Sequence, residues 1–474
     1  VHGAGKIIED PADEDWYQFE LLKADDVQFD VTFNPALGTL SFDLLQIVAG
    51  VPVVRGSSTA TTAGATLTAS NLTAGRYYLQ VKVAGNTKTH TYGFGISPAS
   101  TSSTRVFYVN DSSTTNDAYT LGVGNAANTG LTPNSPKASI QQILDSYSLG
   151  ATDLVKIDTG TYATSVLATA SDEAATYVGT PGGSRLNGTF EMADSDYNTL
   201  YRLTFGASGT PIYIRGTAAD PTTNTTLKQI KILASSTGIR IDGGVDHALI
   251  DSEISGAGSY GVYMPSGGSI SITGTDISGR SIGGYFGSLA SANLVGNDVS
   301  ATTYGFFFTE SSNLTVSNND LHDAQYGIYR SSGGSMLVSG NRLFNNQVGA
   351  YSNVSNTTYR GNTITSNGTG LLGHGVFGGP DWDVANANVI QNNNIGVRPA
   401  AGQTVSFNRI LNNQIGIQPE GSAALRNNLL VGNATGVLIG AVSSVSLVNN
   451  TIVTSSGTGV RLQQSSSNVS LRNN

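Results

Sequence analysis

The sequence of 474 residues contains no cysteine. Disulfide bonds, thiolate chemistry and cysteine-ligated zinc are therefore excluded. No apolar run reaches the roughly 20 residues that a membrane-spanning helix needs, and no secretion-signal pattern opens the chain. Because the sequence begins abruptly at Val1, we expect it to be a processed or excised portion of a longer protein.

Charged residues are also scarce. They make up 12% of the chain, the net charge is −9, and no basic cluster is present, which argues against nucleic acid as a partner. An acidic glycan would likewise need a local basic patch. The 58 glycines and a hydrophobic content of 39% are typical of an ordered, β-rich protein with many turns. We expect a secreted bacterial protein, extracellular or at the cell surface.

The length of the chain indicates two or more units. In the first hundred residues, apolar and polar positions alternate in runs such as 15–19, 27–31 and 75–81, separated by turn residues. This pattern predicts an antiparallel β-sandwich over residues 1–96. The run S-P-A-S-T-S-S-T at 97–104 predicts a linker.

Three motifs give the first segment a resemblance to the bacterial pre-peptidase C-terminal (PPC-like) domain family. They are D-x-D-W-Y-x-F at 13–19, F-D-L-L at 42–45 and A-G-R-Y-Y-L-Q-V at 74–81. The resemblance covers residues 8–96 and implies an accessory module of secreted proteins, some of which are implicated in carbohydrate or surface binding. We expect Trp16 to pack in the core, with a sugar-stacking platform as the alternative.

Residues 105–235 are predicted to hold a capping helix and the first, irregular coils of a second unit. Asn134-Ser135-Pro136-Lys137 supplies an N-cap and a first-turn proline, and apolar residues follow at helical spacing up to Tyr147. A strand at 153–158 and G-T-Y at 160–162 come next. This order resembles the entrance of pectate-lyase-like β-helices, where a helix covers the open end of the coil and its exposed sheet edge.

Three aligned columns recur through the rest of the chain at intervals of 20 to 26 residues. The polar column is Ser252, Thr275, Asn297, Asn319, Asn341, Asn362, Asn388, Asn408, Asn428, Asn450 and Asn474. An aliphatic residue follows two positions later, and a glycine eight or nine positions later, such as Gly261, Gly284 and Gly305. The columns predict an all-β protein whose residues 236–474 form the regular coils of a long right-handed parallel β-helix, with about 21–23 residues per coil.

Each coil is expected to have three short strands and three bends. Asn tolerates the left-handed backbone of a bend, and its amide can bond to the Asn of the next rung. A β-propeller would need four strands per repeat, for which too few residues remain. Residues 105–474 therefore resemble the pectate-lyase-like superfamily, whose coils serve lyases, hydrolases, epimerases, adhesins and phage spikes. The chain stops within a rung, so we expect the native protein to continue or another domain to cover this end.

An outward column is expected two residues after each glycine, because strand residues alternate between faces. It reads Arg240, Tyr263, Phe286, Phe307, Tyr329, Tyr351, Leu372 and Arg398. Its five aromatic residues would span roughly 19 Å at about 4.8 Å per rung, and their rings would suit the C–H faces of several sugars. We assign glycan binding to these five. The alternative is an aromatic stack covered by a loop or by the sandwich.

A second column, one residue after the polar one, is acidic. It reads Glu253, Asp276, Asp298, Asp320 and then Arg342. Adjacent carboxylates repel one another, and a Ca²⁺ ion on Asp276, Asp298 and Asp320 would relieve the repulsion. The nearest approach to an acid–base cluster consists of Asp298, Asp320, His322 and Arg342, on a different side of the coil from the aromatic column. The alternative is that Asp simply follows Asn at a solvated bend.

The longest interval, 362–388, contains G-H-G at 373–375 and an acidic segment around Trp382. G-H-G is similar to a polygalacturonase motif, although the N-T-D, D-D and R-I-K motifs of that family are absent. Inserted loops often carry function, and lyases use an Arg or Lys as base. The candidate catalytic residues are therefore His374, Asp381, Asp383 and Arg330. The alternative is that glycine only lets the loop bulge.

Two functions remain open at this point. The first is a non-catalytic surface module whose aromatic face binds a glycan or a neighbouring surface protein. The second is a polysaccharide lyase, glycoside hydrolase or epimerase that uses the same face. Hydrolysis needs two carboxylates facing each other, and the aromatic column supplies no such pair, which favours the first. Neither function requires a cofactor, Ca²⁺ being the one candidate, and neither involves nucleic acid or membrane insertion.

Overall fold

The computed structural model divides the chain into two compact units, residues 1–105 and 106–474. The structure describes residues 2–8, 14–21, 25–34, 36, 39–48, 51–60, 64–73, 75–84, 90–98, 105–181, 183–206, 209–217, 219–233, 235–379, 386–442, 444–463 and 466–474. Within these ranges no helix is long and apolar enough to cross a membrane.

The N-terminal unit consists of antiparallel sheets, as the alternating pattern predicts. Its strands are β1 (His2–Ile8), β2 (Glu14–Leu21), β3 (Asp25–Phe33), β4 (Thr39–Val48), β5 (Val51–Ala60), β6 (Gly64–Leu72), β7 (Gly75–Ala84) and β8 (His90–Pro98). One sheet has the order β1-β8-β3-β6 and the other β2-β7-β4-β5. Their inner faces share a core that includes Phe29, Phe42 and Leu79.

Trp16 contradicts the expectation that it packs in this core. Phe19 on the same strand is buried, whereas the Trp16 side chain is 47% exposed. Side chains three apart on a strand point to opposite faces, so Trp16 lies on the outer face of β2. The predicted linker is also shortened, because Ser97 and Pro98 belong to β8. Residues 99–104 lie outside the described residues.

The C-terminal unit is a parallel β-helix. Its first elements are β9 (Val106–Val109), α1 (Ile140–Leu144), β10 (Leu154–Ile157), β11 (Gly160–Tyr162), β12 (Val166–Ala168), β13 (Thr176–Gly179), β14 (Ser184–Leu186), β15 (Phe190–Ala193), β16 (Thr199–Tyr201), β17 (Leu203–Phe205), β18 (Ile212–Arg215), β19 (Thr226–Lys228), β20 (Lys231–Ile232), β21 (Thr237–Asp242), β22 (His247–Ile250), β23 (Glu253–Ile254), β24 (Gly258–Ser266), β25 (Ser269–Thr273), β26 (Asp276–Gly287), β27 (Ser291–Val295) and β28 (Asp298–Thr309).

The later strands complete the regular coils. They are β29 (Leu314–Ser317), β30 (Asp320–His322), β31 (Tyr326–Arg330), β32 (Met336–Ser339), β33 (Arg342–Phe344), β34 (Val348–Ser352), β35 (Thr357–Arg360), β36 (Thr363–Thr365), β37 (Thr369–Gly373), β38 (Val376–Phe377), β39 (Val389–Gln391), β40 (Ile395–Pro399), β41 (Gln403–Ser406), β42 (Arg409–Leu411), β43 (Ile415–Ile417), β44 (Ala423–Arg426), β45 (Leu429–Val431), β46 (Thr435–Ile439), β47 (Val445–Val448), β48 (Thr451–Val453), β49 (Thr458–Leu462) and β50 (Ser470–Arg472).

Each turn of the coil has three faces. The first face is a 16-stranded sheet that begins with β9. A 26-stranded sheet bends once per turn and supplies the second face, which begins with β11, and the third face, which begins with β12. The inward side chains of all three faces form one continuous core, and the predicted inward residues Val262, Phe306 and Ile328 are buried in it.

The helix α1 is shorter than predicted. It begins after Ser139, whose hydroxyl accepts a hydrogen bond from the Gln142 backbone N–H, and not after Ser135. The reason is that Lys137 pairs as an isolated bridge with Val109 and so continues the sheet. Its apolar face is placed as predicted, because Ile140 and Ile143 are buried in the coil core.

The glycine column allows successive rungs of the third face to approach closely. A Cβ on Gly305 would lie 2.4 Å from the carbonyl oxygen of Gly327 in the next rung. A Cβ on Gly261 would likewise lie 2.4 Å from the oxygen of Gly283. The column therefore runs through Gly283 and not, as the spacing suggested, through Gly284.

The polar column is confirmed as an amide ladder. The Asn319 amide donates to Asn341 Oδ1 at 2.9 Å and to the carbonyl oxygen of Leu294 at 2.9 Å. In most rungs the left-handed backbone belongs to the residue before the ladder residue, for example Asn318 with φ 55, and not to the ladder asparagine as predicted. A second ladder was missed, although its fixed offset of five residues from the first is visible in the sequence. It consists of Asn346, Asn367, Asn393, Asn413 and Asn433.

The second ladder predicts that two adjacent asparagines, Asn393 and Asn394, differ in how much they contribute to the stability of the coil. Asn393 is buried, donates to Asn413 Oδ1 at 3.0 Å, and accepts from the Asn367 backbone N–H at 2.9 Å. Asn393→Ala leaves buried polar groups unpaired, at about 1–3 kcal/mol each, so we expect a loss of about 2–4 kcal/mol in the free energy of unfolding measured with urea. The exposed Asn394 serves as the control, and Asn394→Ala should change it by less than about 0.5 kcal/mol. Equal losses in the two variants would contradict the ladder's role.

Candidate functional site

A column of aromatic side chains runs along the outside of the third face. Tyr263, Tyr285, Phe307, Tyr329 and Tyr351 are successive partners in the parallel register. All five side chains are half-buried. Leu372 and then Arg398 continue the column towards the C-terminus, and Arg240 precedes it, as predicted.

Phe286 does not belong to this column, which corrects the prediction. It is fully buried in the coil and pairs with Met264 and Phe308 in an inward column. The rung contains two successive glycines, Gly283 and Gly284, and counting from the second moved the register by one residue. A shift of one residue exchanges the two faces of a strand, so Tyr285 takes the outward place.

A second, shorter set of aromatic residues lies beside the first and was missed in the sequence. It consists of Tyr260, Tyr304 and Tyr326, each three residues before a ring of the first column. The ring centroids of Tyr304 and Phe307 are 5.1 Å apart, and those of Tyr326 and Tyr329 are also 5.1 Å apart. The recurring aromatic-x-x-aromatic spacing was the available signal. We call these eight residues together the aromatic surface.

The rings of the aromatic surface support one another. Centroids along the main column are 5.0–5.2 Å apart; the two central ring pairs are edge-to-face and the two outer pairs are tilted. The two edge-to-face pairs place the positive edge of one ring against the negative face of the next. Burial and the neighbouring tyrosine hydroxyls raise the pKa of Tyr285 and Tyr329. The surface is therefore held in place before any ligand arrives and is uncharged at neutral pH.

Ion pairs flank the aromatic surface at both ends. Arg240 pairs with Asp242 at 2.9 Å, and Tyr213 donates its hydroxyl hydrogen to the same carboxylate at 2.6 Å. At the other end, Arg398 pairs with Glu420 at 2.9 Å. Both arginines are thus neutralised by a neighbouring acid, and neither creates a basic patch.

Arg330 cannot act as a base on this surface, which corrects a second prediction. Its side chain is fully buried and points into the coil from the column that also holds Phe308 and Ser352. The guanidinium donates to Thr357 Oγ1 at 2.7 Å and to the carbonyl oxygen of Gly334. Burial lowers its pKa. Position in the register, and not the polarity of the residue, decides which way this side chain points.

The acidic column lies on the second face, one carboxylate per rung. Asp298 Oδ1 is 2.9 Å from His322 Nε2, and Asp320 pairs with Arg342 at 2.8 Å. His322, when protonated, and Arg342 thus reduce the charge repulsion in the column. Asp276 sits between acidic neighbours, and its pKa is raised by burial and by the charges of Asp298 and Glu253.

The arrangement of these carboxylates does not support the predicted calcium site. Asp276, Asp298 and Asp320 stand in a row along the coil and do not surround a common centre. In the part of the chain that the structure describes, no three His, Asp or Glu side chains converge to hold a metal ion.

His322 is held between two carboxylates, those of Asp298 and Asp323. Only Asp298 belongs to the predicted acid–base cluster. The Nδ1 of His322 is 2.7 Å from Asp323 Oδ2, and its ring stacks on Phe344 with centroids 4.6 Å apart. Burial alone would lower its pKa, but the hydrogen bonds to Asp323 and Asp298 outweigh burial and raise it. Both ring nitrogens are occupied, so His322 has no free nitrogen to activate a nucleophile.

His374 lies at the bend after the third face, next to the end of the aromatic column. It is half-buried, and Gln403 Nε2 is 3.2 Å from its Nδ1. Asp381, Trp382 and Asp383 lie outside the described residues. A catalytic role for His374, Asp381 and Asp383 therefore stays a prediction.

Comparisons with known proteins agree on the coil. The family described as "Right handed beta helix region" matches residues 210–367, and the family described as "Periplasmic copper-binding protein (NosD)" matches residues 381–474. No curated protein matches the sequence. The predicted right-handed parallel β-helix is confirmed, whereas the PPC-like resemblance of the first unit stays a prediction.

The solved structures that are similar to this chain include two kinds of carbohydrate-active enzyme. The catalytic domain of a GH87 alpha-1,3-glucanase in complex with nigerose is 12% identical, with a TM-score of 0.42 and coverage of 98% of this chain and 97% of that chain. The A-module of mannuronan C-5 epimerase AlgE4 from Azotobacter vinelandii is 16% identical, with a TM-score of 0.41 and coverage of 70% and 95%. At these scores the likenesses carry no inference about activity.

The His322 cluster predicts a pH dependence of stability. Folding raises the His322 pKa above its usual value of about 6.5, so the protonated form stabilises the coil below that pH, and this contribution is lost as the pH rises through the folded pKa. We expect the unfolding temperature to fall more between about pH 6 and about pH 9 in the native protein than in a His322→Gln variant. Parallel pH profiles of the two proteins would contradict this assignment.

Proposed function

We propose that this protein binds a neutral glycan chain lengthwise along the aromatic surface of the coil. The observation that carries the proposal is the continuity of eight half-buried rings on the outside of a regular parallel β-helix. Contiguous apolar patches on a soluble protein commonly mark a binding site.

The chemistry of the aromatic surface suits sugar rings. Aromatic faces pack against the C–H faces of a pyranose, and tyrosine hydroxyls at the ring edges can hydrogen-bond to its hydroxyl groups. The main column extends over five rungs, or roughly 19 Å at about 4.8 Å per rung. Because the rungs repeat along the coil axis, an extended chain with its own repeat is better matched than a single small molecule.

The electrostatics favour a neutral polymer over an acidic one. The main column carries no charged residue from Tyr263 to Leu372. The arginines at its two ends are paired with Asp242 and Glu420, and the whole chain has a net charge of −9. A polyanion would therefore meet repulsion without a compensating basic patch.

Binding, rather than cleavage, is the function that the described residues support. Glycoside hydrolysis uses two carboxylates on opposite sides of the bond, and the main column supplies none between Tyr263 and Tyr351. Arg330, the proposed base of a lyase, is buried. We place the protein outside the cytoplasm, in keeping with its cysteine-free sequence and the periplasmic family that its last coils match.

The test is affinity electrophoresis against neutral and acidic polysaccharides, with a Phe307→Ala/Tyr329→Ala variant. We expect at least one neutral polymer to retard the native protein. The variant should raise Kd about tenfold or more, since an aromatic contact contributes about 0.5–1.5 kcal/mol beyond burial and about 1.4 kcal/mol is tenfold. Tyr197→Ala is the control, because that tyrosine is 58% exposed and lies outside the aromatic surface.

Three results would overturn the proposal. They are no retardation of the native protein by any neutral polymer, equal migration of the double variant and the native protein, or binding of acidic polymers only. Size-exclusion of the incubated polymers separates binding from catalysis, because shortened chains would show the alternative lyase or hydrolase activity.

A further inference from the structure

We infer a second sugar-binding site on the outer face of the sheet β2-β7-β4-β5, centred on Trp16. Its ligand is a neutral pyranose unit that lies with its C–H face against the indole. This site belongs to the N-terminal unit and does not depend on the function proposed for the coil.

Trp16 is exposed in a place where a structural role does not explain it. Its side chain is 47% exposed, although indole rings are usually largely buried. The inner face of the sandwich is filled without it, because Phe19, Phe42 and Leu79 form the core. The indole is therefore a large apolar surface presented to solvent on a sheet face where Tyr78, Leu45 and Val54 also lie.

The residues around Trp16 form a connected hydrogen-bond network. Glu14 Oε2 accepts from the Trp16 indole N–H at 3.3 Å and from the Gln80 amide at 2.7 Å. Gln80 Oε1 in turn accepts from Lys82 Nζ at 3.4 Å, and Lys82 pairs with Asp43 at 2.6 Å. The network crosses three neighbouring strands, since Trp16 pairs with Gln80 and Gln80 with Asp43 in the sheet register.

Gln80 shows that the network is organised before a ligand binds. It points away from the core, because Leu79 and Val81 on either side of it are buried, yet it is only 7% exposed. Its amide donates to Glu14, and its carbonyl oxygen accepts from Lys82, so its orientation is fixed from both ends. A side chain fixed in this way loses little conformational entropy on binding.

The chemistry of the network selects the class of ligand. Sugar hydroxyls both donate and accept, and Lys82 and Gln80 can donate while Glu14 and Asp43 can accept. Burial would raise the pKa of Asp43, but hydrogen bonds to Lys82 and Ser57 lower it, so this acceptor stays ionised. With two carboxylates and one ammonium group, the hydrogen-bond network has a net negative charge. This charge disfavours acidic sugars and favours a neutral pyranose.

The chain allows this site to be observed directly, because it has only two tryptophans, Trp16 and Trp382. In a Trp382→Phe background, the fluorescence of the full chain reports Trp16 alone. We expect a saturable change in intensity and emission wavelength on titration with at least one of three neutral probes, namely the hexasaccharides of β-1,4-linked glucose, mannose and N-acetylglucosamine. Oligogalacturonate should produce no such change.

Gln80→Leu in the same background tests the role of the hydrogen-bond network around Trp16. This substitution keeps the indole and removes the hydrogen bonds of Gln80 to Glu14 and Lys82. The dissociation constant for the neutral oligosaccharide should therefore rise at least tenfold. The unfolding midpoint of this variant is measured in parallel. If Gln80→Leu unfolds the unit, Asp43→Asn takes its place as the test variant, because it keeps the size of the side chain. Asp43→Asn should also weaken binding.

Any of three results would overturn the inference. They are no fluorescence response to any neutral probe, an equal response to oligogalacturonate, or unchanged affinity in a folded Gln80→Leu or Asp43→Asn variant. Failure of the coil to bind glycan would leave this fluorescence signal intact, so the two proposals fail independently.

Discussion

The spacing of about 4.8 Å between successive rungs is the constraint on which the structure of the coil depends. Backbone hydrogen bonds set this distance, and side chains at the same place in each rung must then tolerate close contact with their own repeats. Glycine is needed where carbonyl oxygens of the next rung come within 2.4 Å of a would-be Cβ, as at Gly305. Asparagine suits the bends, because its amide can both donate and accept along the axis, as Asn319 does in accepting from Asn297 and donating to Asn341.

The same constraint produces the aromatic surface. Rings at successive rungs come into contact at this spacing, and those of the main column tilt against one another with centroids about 5 Å apart. The result is an apolar surface whose length is set by the number of rungs and whose rings are braced by their neighbours. A rigid coil thus presents a platform that pays little conformational entropy when an extended ligand binds.

The periodicity of the sequence made the coil predictable. The strand register and the burial of single residues could not be predicted from it. The columns identified the fold and the outward place of Tyr263, Phe307, Tyr329 and Tyr351, because alternation between faces follows from strand geometry. Phe286 was misplaced, since Gly283 and Gly284 fit the spacing equally well and only the contacts between rungs distinguish them. Arg330 looked like a surface residue by its charge, but it belongs to the inward column of Met264 and Phe308. Trp16 looked like a core residue by its size, and only the alternation with buried Phe19 places it outside.

The account is tested most directly by the length dependence of binding. Calorimetric titration of the full chain would use neutral oligosaccharides of increasing length, taken from the polymer that binds best. A ligand that lies along five rungs should gain affinity with each added sugar until it covers the roughly 19 Å of the main column, and then gain no more. Affinity that is already maximal for a disaccharide would contradict a lengthwise platform, because a single pocket would then account for all of the binding.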